Sequence, residues 1–247
     1  MDKHTEPLPP GTLQVHPAGS TAELAQQLAR HIARRLREAI TTRGHAVLAV
    51  SGGKSPVAMF EQLRQQTVAW SHVSVLLVDE RCVPHDHADS NTALVRTHLL
   101  QGAAAAAHFV PFFDQLPASL DDRALEALAG AANERLAAQP WPMDVAVLGM
   151  GEDGHTASIF PGAAGLARAL HGSGPVTWLR PGPASNAPHP RLTLTLPALL
   201  ATREIALSIT GASKLAVFQQ AQRAADESLP VSLVLNQHLT PVSVWLA

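Results

Sequence analysis

Continuous apolar runs alternate with amphipathic helical patterns along most of this 247-residue chain. Residues 45–50, 73–78, 143–148 and 204–209 form such runs, and none of them alternates in the manner of a half-exposed strand. Residues 21–42 show the helical pattern, with leucine and isoleucine recurring every four positions. Strands without a polar face are typical of a parallel sheet that helices cover on both faces. We therefore predict an α/β fold with a doubly wound, mostly parallel sheet.

The chain shows no internal repeat and no linker, so residues 1–247 are interpreted as one domain. A chain of this length buries roughly three-quarters of its unfolded surface, so it needs neither a disulfide nor a metal to fold. The single cysteine, Cys82, suits a reducing compartment. No segment is apolar and long enough to span a bilayer, and residues 1–11 lack an apolar signal core. We expect a cytoplasmic protein.

The charge balance argues against a nucleic-acid partner. The formal net charge is −2, only 4% of the residues are aromatic, and there is no tyrosine. A general nucleic-acid binder needs a basic surface, and a single-strand binder needs aromatic stacking platforms. We expect no nucleic-acid and no membrane partner, and a monomer or at most a weak homodimer.

Polar motifs follow the predicted strands at residues 51–56, 79–91, 149–156 and 211–214. In a doubly wound sheet, ligands bind beyond the carboxyl ends of the strands. We therefore expect these four motifs to meet at one crevice.

The first motif, residues 51–56, joins a strand to a helix. Gly52 and Gly53 allow a ligand to approach the backbone closely, and Ser55 before Pro56 predicts a helix N-cap. Together with Ser51, this loop suits a phosphate group. It does not match the Walker A pattern, so ATP is not implied. The alternative is a tight turn that binds nothing.

The second motif begins with Asp79, Glu80 and Arg81. Arg81 is a candidate bidentate clamp for a phosphate, held in position by Asp79 or Glu80. The alternative is that these are simply the first solvated residues after a strand.

The loop that follows contains His85, Asp86, His87 and Asp89, and residues 89–91 (Asp89, Ser90 and Asn91) are expected to cap the next helix. The histidines and acids alternate as metal ligands can, but such spacing within one loop is a weak indication. We predict no bound metal.

The third motif places Asp153 two residues before His155. A histidine that titrates near neutral pH can remove a proton from water, and a carboxylate can fix its tautomer. Asp153 and His155 are therefore the candidate catalytic residues. We expect a helix to start directly after His155, and the alternative role for the histidine is a helix-end contact without catalysis. Arg191 and Lys214 are candidate anion contacts, with solvated surface charges as the alternative.

Taken together, these motifs resemble those of the 6-phosphogluconolactonase family. The resemblance runs in matching order from about Gly44 to the C-terminus. Its pieces are residues 51–56, residues 79–84 with His87, Ser90 and Asn91, residues 148–162, residues 190–193 and residues 211–214.

The resemblance implies a modified Rossmann-like fold, shared with glucosamine-6-phosphate deaminase and ribose-5-phosphate isomerase. It also implies hydrolysis of 6-phosphoglucono-1,5-lactone in the oxidative pentose phosphate pathway, with a phosphorylated sugar lactone as the small-molecule partner and no cofactor or metal. By motif match, His155 is expected to be the general base and Asp153 its neighbour. The residues expected to bind the substrate and its phosphate are Ser51, Gly52, Gly53, Ser55, Arg81, His87, Arg191 and Lys214.

Two alternatives to a lactonase stay open. A sugar-phosphate isomerase or deaminase on the same fold needs an additional base, and deaminases carry an acid where this chain has residues 160–162. A non-catalytic sugar-phosphate-sensing domain normally accompanies a DNA-binding segment, and no helix-turn-helix pattern precedes Gly44.

Overall fold

The structure is a computed structural model that describes residues 9–182 and 187–247. Of residues 1–11, which lack an apolar signal core in sequence, residues 1–8 lie outside the described residues. No helix in the described ranges is both long and apolar enough to cross a membrane.

The predicted alternation of helices and strands is confirmed. Short 3-10 helices cover Trp70–His72 and Gly102–Ala106. The α-helices are α1 (Thr21–Arg43), α2 (Val57–Leu63), α3 (Asn91–His98), α4 (Asp122–Ala137), α5 (Leu166–His171), α6 (Leu196–Leu200), α7 (Ala212–Ala221) and α8 (Val231–Leu235). The strands are β1 (Leu13–Pro17), β2 (Ala46–Val50), β3 (Val73–Leu77), β4 (Asp79–Arg81), β5 (His108–Val110), β6 (Val145–Leu148), β7 (Val176–Leu179), β8 (Arg191–Leu194), β9 (Ile205–Ile209) and β10 (Val242–Leu246).

Within the described residues, the main sheet has seven strands in the order β1-β10-β9-β6-β2-β3-β5, and every pair is parallel. All residues of β2 and β6 are buried, although successive side chains point to opposite faces. Both faces of the sheet are therefore covered, as the continuous apolar runs predicted.

The chain order reverses between β2 and β6. From β2 the sheet continues through β3 and β5 to one edge, and from β6 it continues through β9, β10 and β1 to the other. Such a switch point leaves a crevice outside the carboxyl ends of the two central strands. The loops that begin at Ser51 and Gly149 border this crevice.

A second, three-stranded sheet was not predicted. Its order is β4-β8-β7, and both pairings are antiparallel. β4 follows β3 after one residue, Val78, whose carbonyl accepts a hydrogen bond from the Leu194 amide. The strand therefore leaves the main sheet at Val78 and carries Arg81 to the side of the crevice.

The prediction that a helix starts directly after His155 is wrong. Residues 156–159 form a tight turn closed by a bridge between Thr156 and Ile159, and Ala157 adopts a positive φ of 49°. The next helix, α5, begins only at Leu166.

The two predicted helix caps have different outcomes. Ser55 is not an N-cap, because α2 begins at Val57 and has no side-chain cap. The cap predicted at residues 89–91 is confirmed, and Ser90 is the residue that provides it, since its side chain accepts a hydrogen bond from the Ala93 amide.

A buried carboxylate, Glu204, forms a polar cluster at the amino end of β9, away from the crevice. Glu204, directly before β9, lies 2.6 Å from His31 Nε2 and 2.8 Å from Arg35 Nε, and accepts a hydrogen bond from Ser243 Oγ. Burial opposes ionisation, but the hydrogen bond and charge of His31, with Ser243 and Arg35, hold the pKa of Glu204 below its usual value. The cluster joins α1 to β9 and β10.

Glu204→Gln is expected to lower the free energy of unfolding by about 2 kcal/mol near pH 7, because it weakens the hydrogen bonds that a charged carboxylate accepts and leaves Arg35 with Glu38 as its remaining ion-pair partner among the described residues. Since folding lowers the pKa of Glu204, ionised Glu204 stabilises the protein above its ordinary value of 4.5, and this contribution is lost as the pH falls through the folded pKa. Urea unfolding of both proteins should show the difference shrinking in acid. A difference that stays constant to about pH 3 contradicts this linkage. Glu227→Gln, at an exposed ion pair, is the control.

Candidate active site

A cavity of about 870 Å³ occupies the switch-point crevice. It is bordered by the loops after β2 and β6, by the start of α7, and by Arg81 and Arg191 of the small sheet. The predicted site residues among its lining are Ser51, Gly52, Gly53, Ser55, Arg81, Asp153, His155, Arg191 and Lys214. The convergence expected from the four motifs is therefore present in the structure.

His155 and Asp153 form a close pair within this cavity. His155 Nδ1 lies 2.5 Å from Asp153 Oδ1, which also accepts a hydrogen bond from the His155 amide at 3.1 Å. Burial opposes ionisation of Asp153, but its hydrogen bond and charge interaction with His155 hold its pKa below the usual value. An ionised Asp153 accepts a hydrogen bond from the protonated Nδ1 of His155. The free lone pair of the neutral ring then lies on Nε2. The ring packs on Phe160, with centroids 4.4 Å apart.

Gly151 provides the space that this pair occupies. A Cβ added at Gly151 would lie 2.2 Å from His155 Nδ1 and 2.5 Å from Asp153 Oδ1. Neither atom can tolerate such an approach, so any side chain here displaces the pair.

Gly151→Ala is expected to lower kcat by about 10- to 100-fold, because a shift of about 1 Å in a catalytic group has an effect of this size. Steady-state kinetics, with circular dichroism to verify folding, will measure it. The control is Gly130→Ala, a helical glycine with open space around its Cβ position. Normal kcat in Gly151→Ala contradicts the assigned geometry.

Arg81 and Arg191 lie side by side in the lining of the same cavity, and the guanidinium of Arg191 lies 6.0 Å from the centroid of the Phe160 ring on which His155 packs. The two arginines are register partners in the β4–β8 ladder. Arg191 is only 5% exposed, and its Nε and Nη1, like Arg81 Nε, are buried without a hydrogen-bond partner among the described residues. Burial lowers the pKa of Arg191, and the charge of Asp79 partly opposes this. Unsatisfied, buried guanidinium N–H groups are costly unless an anion binds them.

The carboxylates beside Arg81 have other partners than the predicted guanidinium. Glu80 accepts hydrogen bonds from the backbone amides of Arg81, Asn91 and Thr92, whereas Arg81 Nη1 donates to the Asp89 carbonyl at 2.6 Å. Burial raises the pKa of Glu80, and these amide hydrogen bonds oppose the rise. The expectation that an acid side chain holds Arg81 is thus corrected: Glu80 organises the start of α3.

Asp79 joins three motifs that are distant in sequence. It accepts a hydrogen bond from Ser158 Oγ at 2.5 Å and a longer one from Asn91 Nδ2 at 3.4 Å. The Ser158 amide in turn donates to Thr193 Oγ1. The sequence predicts a helix at this position and gives no local indication of this contact. The only signal was that all these residues belong to the matched motifs.

Gly52 packs against another residue of this network. A Cβ at Gly52 would lie 1.7 Å from Asn91 Oδ1, so only glycine permits this approach. The glycine loop therefore rests on the start of α3, while Gly53, with a φ of +84°, turns the chain towards Ser55.

A hydrogen bond connects the loop of His155 with that of Lys214. Ser213 Oγ donates to Glu152 Oε1 at 2.6 Å, and both residues flank the cavity. Lys214 lies in the first turn of α7 and lines the cavity.

His87 is not among the residues that line the cavity. Its ring lies in the loop after β4, 5.5 Å from the ring of His189, and its Nδ1 accepts a hydrogen bond from the Asp89 amide. His85, from the same loop, stacks on Phe113 instead.

Cys82 lies in the core directly after Arg81. Burial, with a smaller contribution from the charge of Glu80, raises the pKa of its thiol to about 12. The thiol is therefore protonated and unreactive near neutral pH.

A doubly wound sheet that brings a His–Asp pair and two neighbouring guanidinium groups into one cavity is the arrangement expected of an enzyme with a small anionic substrate. The chain belongs to the family of glucosamine-6-phosphate isomerases and 6-phosphogluconolactonases, whose model matches residues 19–245.

Similar proteins carry one of these two activities in their names. The 6-phosphogluconolactonase of Pseudomonas aeruginosa is 47% identical over 223 residues, covering 90% of this chain and 91% of that protein. That of Neisseria meningitidis is 43% identical, covering 94% and 98%. The crystal structure of a 6-phosphogluconolactonase from Shewanella baltica superposes with a TM-score of 0.87 at 40% identity, covering 96% of this chain and 97% of that one.

A monomeric glucosamine-6-phosphate deaminase shares the fold alone. Its TM-score is 0.71 at 19% identity, covering 94% of this chain and 96% of that one. The expected kinship of fold between lactonase and deaminase is therefore confirmed.

Proposed function

We propose that this chain hydrolyses 6-phosphoglucono-1,5-lactone to 6-phosphogluconate, a step of the oxidative pentose phosphate pathway. The observation that carries the proposal is that one cavity is lined by both the His155–Asp153 pair and the guanidinium groups of Arg81 and Arg191, each of which has a nitrogen atom without a hydrogen-bond partner among the described residues. The relatives named 6-phosphogluconolactonase, at up to 47% identity, support the same reaction.

The phosphate of the substrate binds at the cationic side of the cavity. Arg81 and Arg191 line this side with their guanidinium groups, and Lys214 adds a third positive charge. The loop of Ser51, Gly52, Gly53 and Ser55 closes the pocket with backbone and hydroxyl donors. Charge-assisted hydrogen bonds of this kind are about twice as strong as neutral ones.

His155 acts as the general base. Its Nε2 takes a proton from a water molecule as that water attacks C1 of the lactone, and negative charge develops on the carbonyl oxygen. Asp153 stabilises the imidazolium that forms. The ring C1–O bond then breaks, and the imidazolium returns its proton to the departing ring oxygen. No covalent intermediate or cofactor is required, because a lactone is an activated ester.

The acids of the cavity do not favour an isomerase or deaminase. Those among its described lining residues are Asp79, Glu152 and Asp153, and each has a partner, respectively Ser158, Ser213 and His155. None is left to move a proton between C1 and C2. The position where deaminases carry an acid is Phe160, Pro161 and Gly162 here, and Phe160 packs on the catalytic ring.

The test is acid release from freshly generated 6-phosphogluconolactone, measured against the spontaneous rate, with parallel assays for ketose and ammonia formation from sugar phosphates. We expect acid release alone. Ketose or ammonia formation would support the isomerase or deaminase. Sugar-phosphate binding without any turnover would support a sensing domain.

The proposal also places the enzyme in the cytoplasm, acting as a monomer or at most a weak homodimer. The single cysteine, buried and free, is compatible with a reducing compartment. Analytical ultracentrifugation will determine the oligomeric state.

A further inference from the structure

Three potential metal ligands meet at the edge of the small sheet, outside the cavity. His87 and Asp89 come from the loop after β4, and His189 comes from the segment before β8. Their ligand atoms all lie within 4.8 Å of one another. His189 Nε2 is 3.0 Å from Asp89 Oδ2, and His87 Nδ1 is 3.9 Å from the same oxygen.

These separations suit a cation. Ligand atoms that surround Zn²⁺ tetrahedrally at 2.0–2.1 Å lie about 3.3 Å apart, between the two distances observed. His87 Nδ1 already accepts a hydrogen bond from the Asp89 amide, so this nitrogen presents a lone pair rather than a proton. A bound cation would coordinate this lone pair in place of the hydrogen bond from the Asp89 amide. The proton shared by His189 and Asp89 would be released to solvent.

We propose that His87, Asp89 and His189 form a non-catalytic site for a divalent transition metal, with Zn²⁺ as the preferred ion. Two imidazole nitrogens and one carboxylate oxygen suit Zn²⁺ and Co²⁺ better than Mg²⁺ or Ca²⁺, which favour all-oxygen ligands. Solvent completes the coordination, because Asp89 and His87 are exposed. His87 thereby belongs to this site and not to the phosphate pocket.

The position of the site connects it to the cationic side of the cavity. The Asp89 carbonyl accepts the hydrogen bond from Arg81, and the carbonyl of Pro190, next to His189, accepts one from the Cys82 amide. A metal here clamps the two segments that lead into the β4–β8 ladder. It touches no reacting atom, so hydrolysis does not depend on it.

The cluster differs from the ordinary surface ion pairs of this chain. His171 and Glu227 lie 3.2 Å apart on the surface but have no third ligand. Across residues 9–182 and 187–247, no other three such side chains bring their ligand atoms equally close. His171→Ala is therefore a matched control for adventitious binding to surface histidine.

The test is calorimetric titration of the chelator-treated full chain with Zn²⁺, in the absence of substrate. We expect one high-affinity equivalent, a rise in Tm with Zn²⁺ concentration, and binding at least about tenfold weaker in Asp89→Asn and His189→Ala. His171→Ala should bind as the wild type does. Substitution with Co²⁺ should give a visible d–d spectrum that disappears in His189→Ala.

Either of two results would overturn the proposal: no saturable Zn²⁺ binding, or binding of equal strength in wild type, Asp89→Asn and His189→Ala. All three ligands lie in surface loops, and circular dichroism will verify that the variants are folded. Because no lactone is present, the outcome is independent of the proposed hydrolysis.

Discussion

Replacing His155 with alanine is expected to lower kcat for lactone hydrolysis by about 10²–10⁴-fold, the usual contribution of a general base. KM should change by less than about threefold, because the phosphate contacts come from other residues of the cavity and contribute equally to ground state and transition state. The structural reason is the Asp153 hydrogen bond to Nδ1, which leaves Nε2 as the one ring nitrogen able to accept a proton from water.

The measurement is initial-rate acid release at a single pH, corrected for spontaneous hydrolysis. His171→Ala, which removes an exposed imidazole from the surface, is the matched control and should retain full activity. A His155 variant that keeps near-normal kcat would exclude this histidine as the base, and one that changes KM alone would assign it to binding.

Replacing Arg191 with methionine is expected to raise KM by about 10- to 100-fold, because hydrogen bonds to charged groups each contribute about 1.5–3 kcal/mol. The same change should leave the free energy of unfolding equal to that of the wild type or higher. Arg191 is buried, and two of its nitrogen atoms have no partner among the described residues, so its charge costs stability until an anion binds.

Kinetics and urea unfolding of the same preparation separate these effects. Arg123→Met, at an exposed position of α4, is the control for loss of a positive charge. A large loss of stability in Arg191→Met, with KM unchanged, would show that Arg191 supports the fold and does not bind substrate.

Local patterns were sufficient to predict four adjacent strands of the main sheet, whereas β1 at its edge was not predicted. The apolar runs at β2, β3, β6 and β9 are recognisable in the sequence. Because helices connect these strands, the strands are expected to run parallel. Because the carboxyl ends of parallel strands share one edge, the meeting of Ser51, Arg81 and His155 at one cavity followed from the same patterns.

What sequence could not predict depends on distant pairing. β4 is a run of three charged residues, and only its antiparallel register with β8 makes it a strand and sets Arg81 beside Arg191. Ser158 resembles a helix cap until the fold brings it to Asp79, 79 positions earlier. His189 completes the cluster with His87 and Asp89 from a segment whose sequence carries no metal-ligand spacing.

The glycines illustrate the same limit. The sequence predicts that Gly52 makes room for a ligand, whereas the structure shows that it makes room for Asn91. Gly151 gives space to the His155–Asp153 pair, and only the positions of these two side chains reveal this.

The most direct test of the account compares kcat/KM for 6-phosphogluconolactone and for unphosphorylated glucono-1,5-lactone in the wild type and in Arg191→Met. If guanidinium groups hold the phosphate while the imidazole of His155 activates water in the same cavity, kcat/KM of the variant should fall by about 10- to 100-fold with the phosphorylated lactone. With the unphosphorylated lactone it should stay within about twofold of wild type. An equal loss with both substrates would contradict the shared cavity.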